Sequence, residues 1–148
     1  MFEYALSTMI FLPILAAAAL FLFPMENVSA RIVGFISSVV VLFIGIEIFL
    51  GFNGNSGMEY VEFHEWVPSY GVNYSLGIDG ISLLVLVAAS FIFPMVFGVF
   101  ESKSRGFYAN LLLAQGAMIG AICATDLILF YIFWEIMLLP IFFMIGIY

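Results

Sequence analysis

The sequence predicts an all-α integral membrane fold with five transmembrane helices, and three observations carry that prediction. Hydrophobic residues make up 66% of the 148 and charged residues 9%, against about 45–50% and about 25% in soluble domains. Five apolar runs, at about 4–24, 31–51, 79–100, 107–125 and 127–148, each approach the roughly 20 residues a helix needs to cross a bilayer. None of them alternates polar and apolar residues as a barrel strand does, and a backbone in lipid must be helical or part of a closed barrel. The chain reads as one membrane domain, 1–148, with an outer loop at 52–78.

Each element has its own justification. The first run is preceded by Glu3 and no Lys or Arg, so it lacks the positive segment of a secretory signal and is expected to stay as a helix. Pro24 ends it, and Gly51 ends the second. The outer loop opens with the turn chemistry of Gly51-Phe-Asn-Gly-Asn-Ser-Gly57. It continues with Glu59, Glu62 and Glu65 between aromatic residues, the pattern of an interfacial segment or short hairpin whose acids face solvent. His64 is the single histidine and makes a poor metal ligand alone. Asp79 and Asp126 stand where N-caps of the third and fifth helices are expected. The fourth run carries Gly116-xxx-Gly120-xxx-Ala124, a small-residue face for close helix approach, with Asn110 and Gln115 placed to hydrogen-bond across helices. Pro94 and Pro140 each free a carbonyl one turn earlier.

The three basic residues set an orientation. Arg31 lies at the first connection, Lys103 and Arg105 at the third, so all three fall on one side of the membrane. The positive-inside rule makes that side cytoplasmic. The N-terminus, the 52–78 loop and the 125–126 turn then face outward, toward the periplasm if the membrane is a bacterial inner (cell) membrane. The net charge of −7 sits mostly in loops and no basic patch exists, so nucleic acid is not an expected partner; the lipid bilayer is. Cys123 stands alone and forms no internal disulfide.

Two acids lie inside apolar runs. Glu135 is near the middle of the fifth, where a carboxylate costs roughly 2.5–3.5 kcal/mol on insertion scales; such residues face a protein interior or a water-filled cavity and often serve proton pathways. A buried structural hydrogen bond is the alternative. Glu47, about 9 Å from the middle of the second helix at 1.5 Å per residue, has a shorter reach to the interface. Glu135 is therefore the first candidate for proton translocation, with Glu47, Asp79 and Asp126 behind it. All three basic residues are assigned to the cytoplasmic connections, so a membrane-embedded lysine partner for Glu135 has to come from outside this chain. There is no P-loop, no GxGxxG, no Cys cluster and no His pair, so neither a cofactor nor a metal is expected here, nor electron transfer or nucleotide chemistry.

The string Asp126-Leu-Ile-Leu-Phe-Tyr-Ile-Phe-Trp-Glu-Ile-Met-Leu-Leu-Pro140 resembles the fifth helix of the M-type (chain 4) antiporter-like subunit of respiratory complex I. Trp66-Val-Pro68 and Tyr74-Ser-Leu-Gly-Ile-Asp-Gly-Ile-Ser82 resemble that family's outer loop and third helix. The Asp-Gly-Ile-Ser element is also similar to L-type subunits and multisubunit cation/proton antiporters, whereas Phe133-Trp-Glu-Ile-Met-Leu-Leu-Pro140 is specific. The resemblance implies a membrane-arm subunit of proton-translocating NADH:quinone oxidoreductase. Other membrane subunits would then be its partners, and NADH, FMN, iron–sulfur clusters and quinone would be held by other subunits. It implies that Glu135 pairs with a lysine on the family's seventh helix. The family has an antiporter-like bundle of about fourteen helices built from inverted repeats, so five helices correspond to an N-terminal fragment, a split gene product or an incomplete sequence. The alternatives are a cation/proton antiporter or membrane-bound hydrogenase subunit, or a truncated remnant that does not pump.

Overall fold

A computed structural model describes residues 4–54, 57–101 and 103–147, which leaves Glu3 and position 148 outside it. Five helices form: α1 (Ala5–Leu22), α2 (Asn27–Gly51), α3 (Gly80–Val99), α4 (Arg105–Cys123) and α5 (Leu127–Ile147). All five are long and apolar enough to span a membrane. The second begins four residues before the apolar run does. Hydropathy marks the lipid-facing stretch, but nothing in Asn27-Val-Ser-Ala30 breaks a helix, so Arg31 lies inside the first turns of α2. Likewise α4 starts at Arg105, where Ser104 caps it by accepting from the Phe107 N–H at 3.3 Å.

The loop between α2 and α3 departs from an all-helical fold. It folds into an antiparallel hairpin of β1 (Glu59–Val67) and β2 (Val72–Ile78), pairing Glu62 with Leu76 and His64 with Tyr74. The turn is a single 3₁₀ turn from Pro68, where proline presets φ, closed by Gly71 in the left-handed region at φ 66°. Leu76 and Ile78 are fully buried on the end of the helix bundle. The Thr125 N–H donates to the Ser75 carbonyl at 2.9 Å, which ties the α4–α5 turn to the hairpin. The hairpin is thus part of the core and not a surface appendage.

The centre of the bundle is α4, against which α1, α2, α3 and α5 all pack. Its small residues explain the closeness. A methyl group on Gly116 would lie 2.6 Å from the Ile10 carbonyl oxygen of α1, and one on Gly120 would lie 2.5–2.7 Å from the Phe133 ring of α5. The small-residue face therefore seats two different helices one turn apart. Gln115 is wholly buried and accepts from the Ser38 hydroxyl at 2.7 Å, joining α4 to α2. Asn110 instead donates to the Gly106 carbonyl within its own helix at 2.8 Å.

Candidate functional site

The fifth helix is the least covered of the five. Leu129, Phe133 and Pro140 are its buried residues, and they hold it to α4 along one narrow stripe. Tyr131, Trp134, Glu135 and Leu138 recur at intervals of three and four on an exposed face. Glu135 lies two residues from the helix midpoint, roughly 3 Å along the axis. Tyr131, one turn before it, interacts with its carboxylate through the phenol. Among the described residues no Lys or Arg stands near it, because all three basic residues gather at the far end of the bundle.

The other candidates do not converge on Glu135. Glu47 is half-buried, one turn from the hairpin end of α2, and α4 stands between α2 and α5. Asp79 caps α3: its carboxylate accepts from the Ser82 N–H at 2.7 Å while the Ser82 hydroxyl accepts from the Asp79 N–H at 2.8 Å. The Ser82 N–H first, and the Ser82 side chain after it, hold the Asp79 carboxyl below the usual carboxylate range. Asp126 caps α5 through the Ile128 and Leu129 N–H groups at 2.9 and 3.1 Å, and its second oxygen accepts from the Asn73 N–H at 3.1 Å. The Leu129 and Asn73 bonds above all hold it low. Both residues fix helix entries at the hairpin end and leave the middle of the membrane to Glu135.

Glu62 is where the sequence misleads. Expected on solvated surface with Glu59 and Glu65, it is 5% exposed. Its carboxylate sits on the N-terminus of α1, accepting from the Leu6 N–H at 2.8 Å, the Ser7 N–H at 3.2 Å and the Ser7 hydroxyl. The free amides and positive dipole end of a helix stabilise an anion there. Tyr74 shares the Ser7 hydroxyl at 2.7 Å. Burial pushes the Tyr74 phenol up from 10.0, the bond to Ser7 pulls it partly back, and the Glu62 charge adds to the rise. His64 stacks on Tyr4 with ring centres 6.0 Å apart, and no cluster of three metal-ligating side chains forms among the described residues. The sequence signal for Glu62 is faint: on a strand, every second residue faces the same way, but the bulge between Glu59 and Glu62 breaks that alternation.

The basic residues act locally as well. Arg31 donates through Nε to the Phe97 carbonyl at 2.9 Å and through Nη2 to the Gly98 carbonyl at 2.7 Å, and pairs with Glu101 at 3.1 Å. Arg105 donates to the Phe23 carbonyl at 2.9 Å. Each guanidinium thus caps the C-terminal end of a neighbouring helix.

No family model matches the chain. Curated relatives do. Over 96% of its length it is 33% identical to "F(420)H(2) dehydrogenase subunit M" of Methanosarcina mazei, covering 30% of that protein. It is 34% identical over 97% of its length to NADH-quinone oxidoreductase subunit M of Rhodobacter capsulatus, covering 29%. Chain 4 of the Arabidopsis thaliana NADH-ubiquinone oxidoreductase matches at 29% identity over 98% of the chain and 30% of the relative. Among solved structures, respiratory complex I from Thermus thermophilus superimposes with a TM-score of 0.83 at 26% identity, over 97% of this chain and 29% of that one. An archaeal membrane-bound sulfane sulfur reductase reaches 0.80 at 19% identity, over 97% of this chain and 23% of that one, a likeness of fold alone. The chain spans about 30% of the length of the curated relatives it matches, and across that span its sequence and its fold match those of the M-type (chain 4) subunits of complex I.

Proposed function

We propose that this chain is part of the membrane arm of a proton-translocating NADH:quinone oxidoreductase, and that Glu135 is a proton-translocation residue whose charge is coupled to a lysine on a helix outside the chain. One observation carries the reading: Glu135 lies at mid-depth on the exposed face of α5, with no Lys or Arg beside it among the described residues. Facing lipid, that carboxylate is costly; against a docked helix bearing a cation, each group favours the charged form of the other when they stand about 4–6 Å apart. A change in their separation then changes the lysine's hold on its proton, which is what a stepwise transfer across the membrane requires.

Redox chemistry belongs elsewhere in this reading, with NADH, FMN, iron–sulfur clusters and quinone on other subunits. The relatives differ in the electron donor of their complexes by name, F420H2 in one and NADH in others, which fits a subunit that moves protons and never meets the donor. The partners are the other membrane subunits and the bilayer. The location is a bacterial inner membrane with the N-terminus outside, as Arg31, Lys103 and Arg105 suggest. The identities to M-type subunits favour this over a cation/proton antiporter or hydrogenase module.

The test is proton uptake into sealed membrane vesicles driven by NADH, with subunit content checked by immunoblot. Glu135→Ala is expected to abolish or sharply reduce pumping and coupled quinone reduction at unchanged assembly, and Glu135→Asp to retain part of both. Glu47→Gln is expected to be mild. Pumping by Glu135→Ala at the parental rate and equal assembly makes Glu135 a structural acid and overturns the proposal.

A further inference from the structure

At the end of the bundle opposite the hairpin, two cavities share Val28 and Arg31 as a common wall. The smaller, about 140 Å³, is the one ringed by polar and charged side chains: Asn27, Glu101, Lys103 and Tyr108 complete it. The larger, about 420 Å³, is an apolar groove running between α2 and α3 along Ile32, Phe35 and Phe97. Its volume falls within the roughly 300–1,000 Å³ of small-ligand sites. A polar chamber at the membrane surface opening into an apolar groove is the shape of an amphiphile, head at the interface and tail toward the bilayer core.

The charges say which amphiphile. Two of the chain's three basic residues line the polar chamber. Arg31 spends Nε and Nη2 on carbonyls and on Glu101, while Nη1 has no partner among the described residues. Lys103 lies over the Phe107 ring at 5.8 Å and has no carboxylate within ion-pair distance among the described residues. The Tyr108 hydroxyl, at the same wall, donates to the Phe100 carbonyl at 3.0 Å and accepts from the Lys103 N–H at 3.3 Å, which ties Phe100 and Lys103 to α4. Two cations against one acid, already paired, leave a positive surplus at the depth of lipid headgroups. Basic pockets between transmembrane helices on the cytoplasmic side suit anionic headgroups.

We infer that this double cavity binds one anionic phospholipid of the adjacent leaflet, its phosphate held by Arg31 Nη1 and the Lys103 ammonium and an acyl chain lying along Ile32, Phe35 and Phe97. A partner helix is the competing occupant, and it would have to bring an acidic residue to that depth to meet the same cations. The orientation of the chain decides only which leaflet supplies the lipid. The site is independent of the proton reading: pumping can be lost with the lipid retained, or the reverse.

The experiment uses the protein extracted from membranes with whatever subunits accompany it, stripped of lipid and mixed with dioleoyl phosphatidylglycerol, dioleoyl phosphatidylcholine or inorganic phosphate. Bound lipid is read by native mass spectrometry and stabilisation by thermal melting. Phosphatidylglycerol is expected to be retained and stabilising, phosphatidylcholine and phosphate not. Lys103→Gln is expected to weaken phosphatidylglycerol retention about tenfold, and Lys103→Arg to restore it. Lys103 caps no helix, so a folding defect is not expected, and unchanged melting without lipid checks that. A photo-crosslinking amino acid at Phe35 is expected to capture lipid. Equal retention by Lys103→Gln, equal binding of phosphatidylcholine, stabilisation by phosphate alone, or capture of a polypeptide at Phe35 each overturns the assignment.

Discussion

At the scale of single residues, the molecule contains two kinds of acid, and their legibility differs for a physical reason. Glu135 announces itself because a charge inside an apolar run is visible to any hydropathy reading. Glu62 does not, because what makes it necessary is the N-terminus of α1, separated from it by 56 residues in sequence. Only the fold brings the carboxylate onto those amides. Truncating it leaves the Leu6 and Ser7 N–H groups and the Ser7 hydroxyl without their acceptor in a buried place, a loss of about 1–3 kcal/mol. Glu62→Ala is therefore expected to lower the melting temperature and to speed hydrogen exchange at Leu6 and Ser7, while Glu62→Gln, which keeps one acceptor oxygen, loses less. Asp79 and Asp126 give a pH dependence of the same end of the molecule. Their folded carboxyls titrate below the ordinary 3.8, so the stability they contribute is fully present above that value and disappears as pH falls through the folded pKa. Protease nicking of the hairpin is expected to rise as the pH drops below about 4, and Asp126→Asn, which keeps its acceptor oxygen, removes that residue's share of the rise.

At the scale of elements, the five spans were readable and their ends less so. Apolar length dictates a crossing helix, but the backbone continues until a cap or a break stops it, which is why α2 starts at Asn27 and α4 at Arg105. The 52–78 loop left two forms open in the sequence, and the hairpin is the one that buries Leu76 and Ile78. The small face of α4 was readable as a motif, whereas its two partners were not: Gly116 faces the α1 backbone and Gly120 a ring of α5. That difference predicts different responses. Gly116→Ala drives a methyl group against the Ile10 carbonyl, which cannot swing aside, and is expected to cost at the high end of the roughly 1–3 kcal/mol for overpacking. Gly120→Ala meets a side chain, so Phe133→Leu in the same molecule is expected to recover part of its loss. Gly98→Ala, with nothing within 4 Å of the added carbon, is expected to be near neutral. Thermal melting of the four variants in one detergent measures all of this, and a Gly120→Ala loss that Phe133→Leu fails to reduce would refute the assigned contact.

At the scale of the whole molecule, the bundle is polarised along its axis. The hairpin, its three glutamates and the caps Asp79 and Asp126 occupy one end, and Arg31, Lys103 and Arg105 the other, where Arg105 also takes the Asn27 side chain through its N–H at 2.9 Å. The first and third connections therefore do meet on one side, as the positions of three basic residues alone suggested. That side is expected to be cytoplasmic because Lys and Arg near short loops resist translocation. The expectation is exposed to a direct measurement, since Cys123 is fully buried and leaves the background quiet. Met58→Cys places a thiol on the exposed start of the hairpin, and Met25→Cys places one at the exposed opposite end. In intact cells a membrane-impermeant maleimide is expected to label position 58 and to spare position 25. In inverted vesicles the pattern is expected to reverse. Labelling of position 25 from outside with position 58 protected inverts the whole bundle, and would set the hairpin in the cytoplasm with the cations outside.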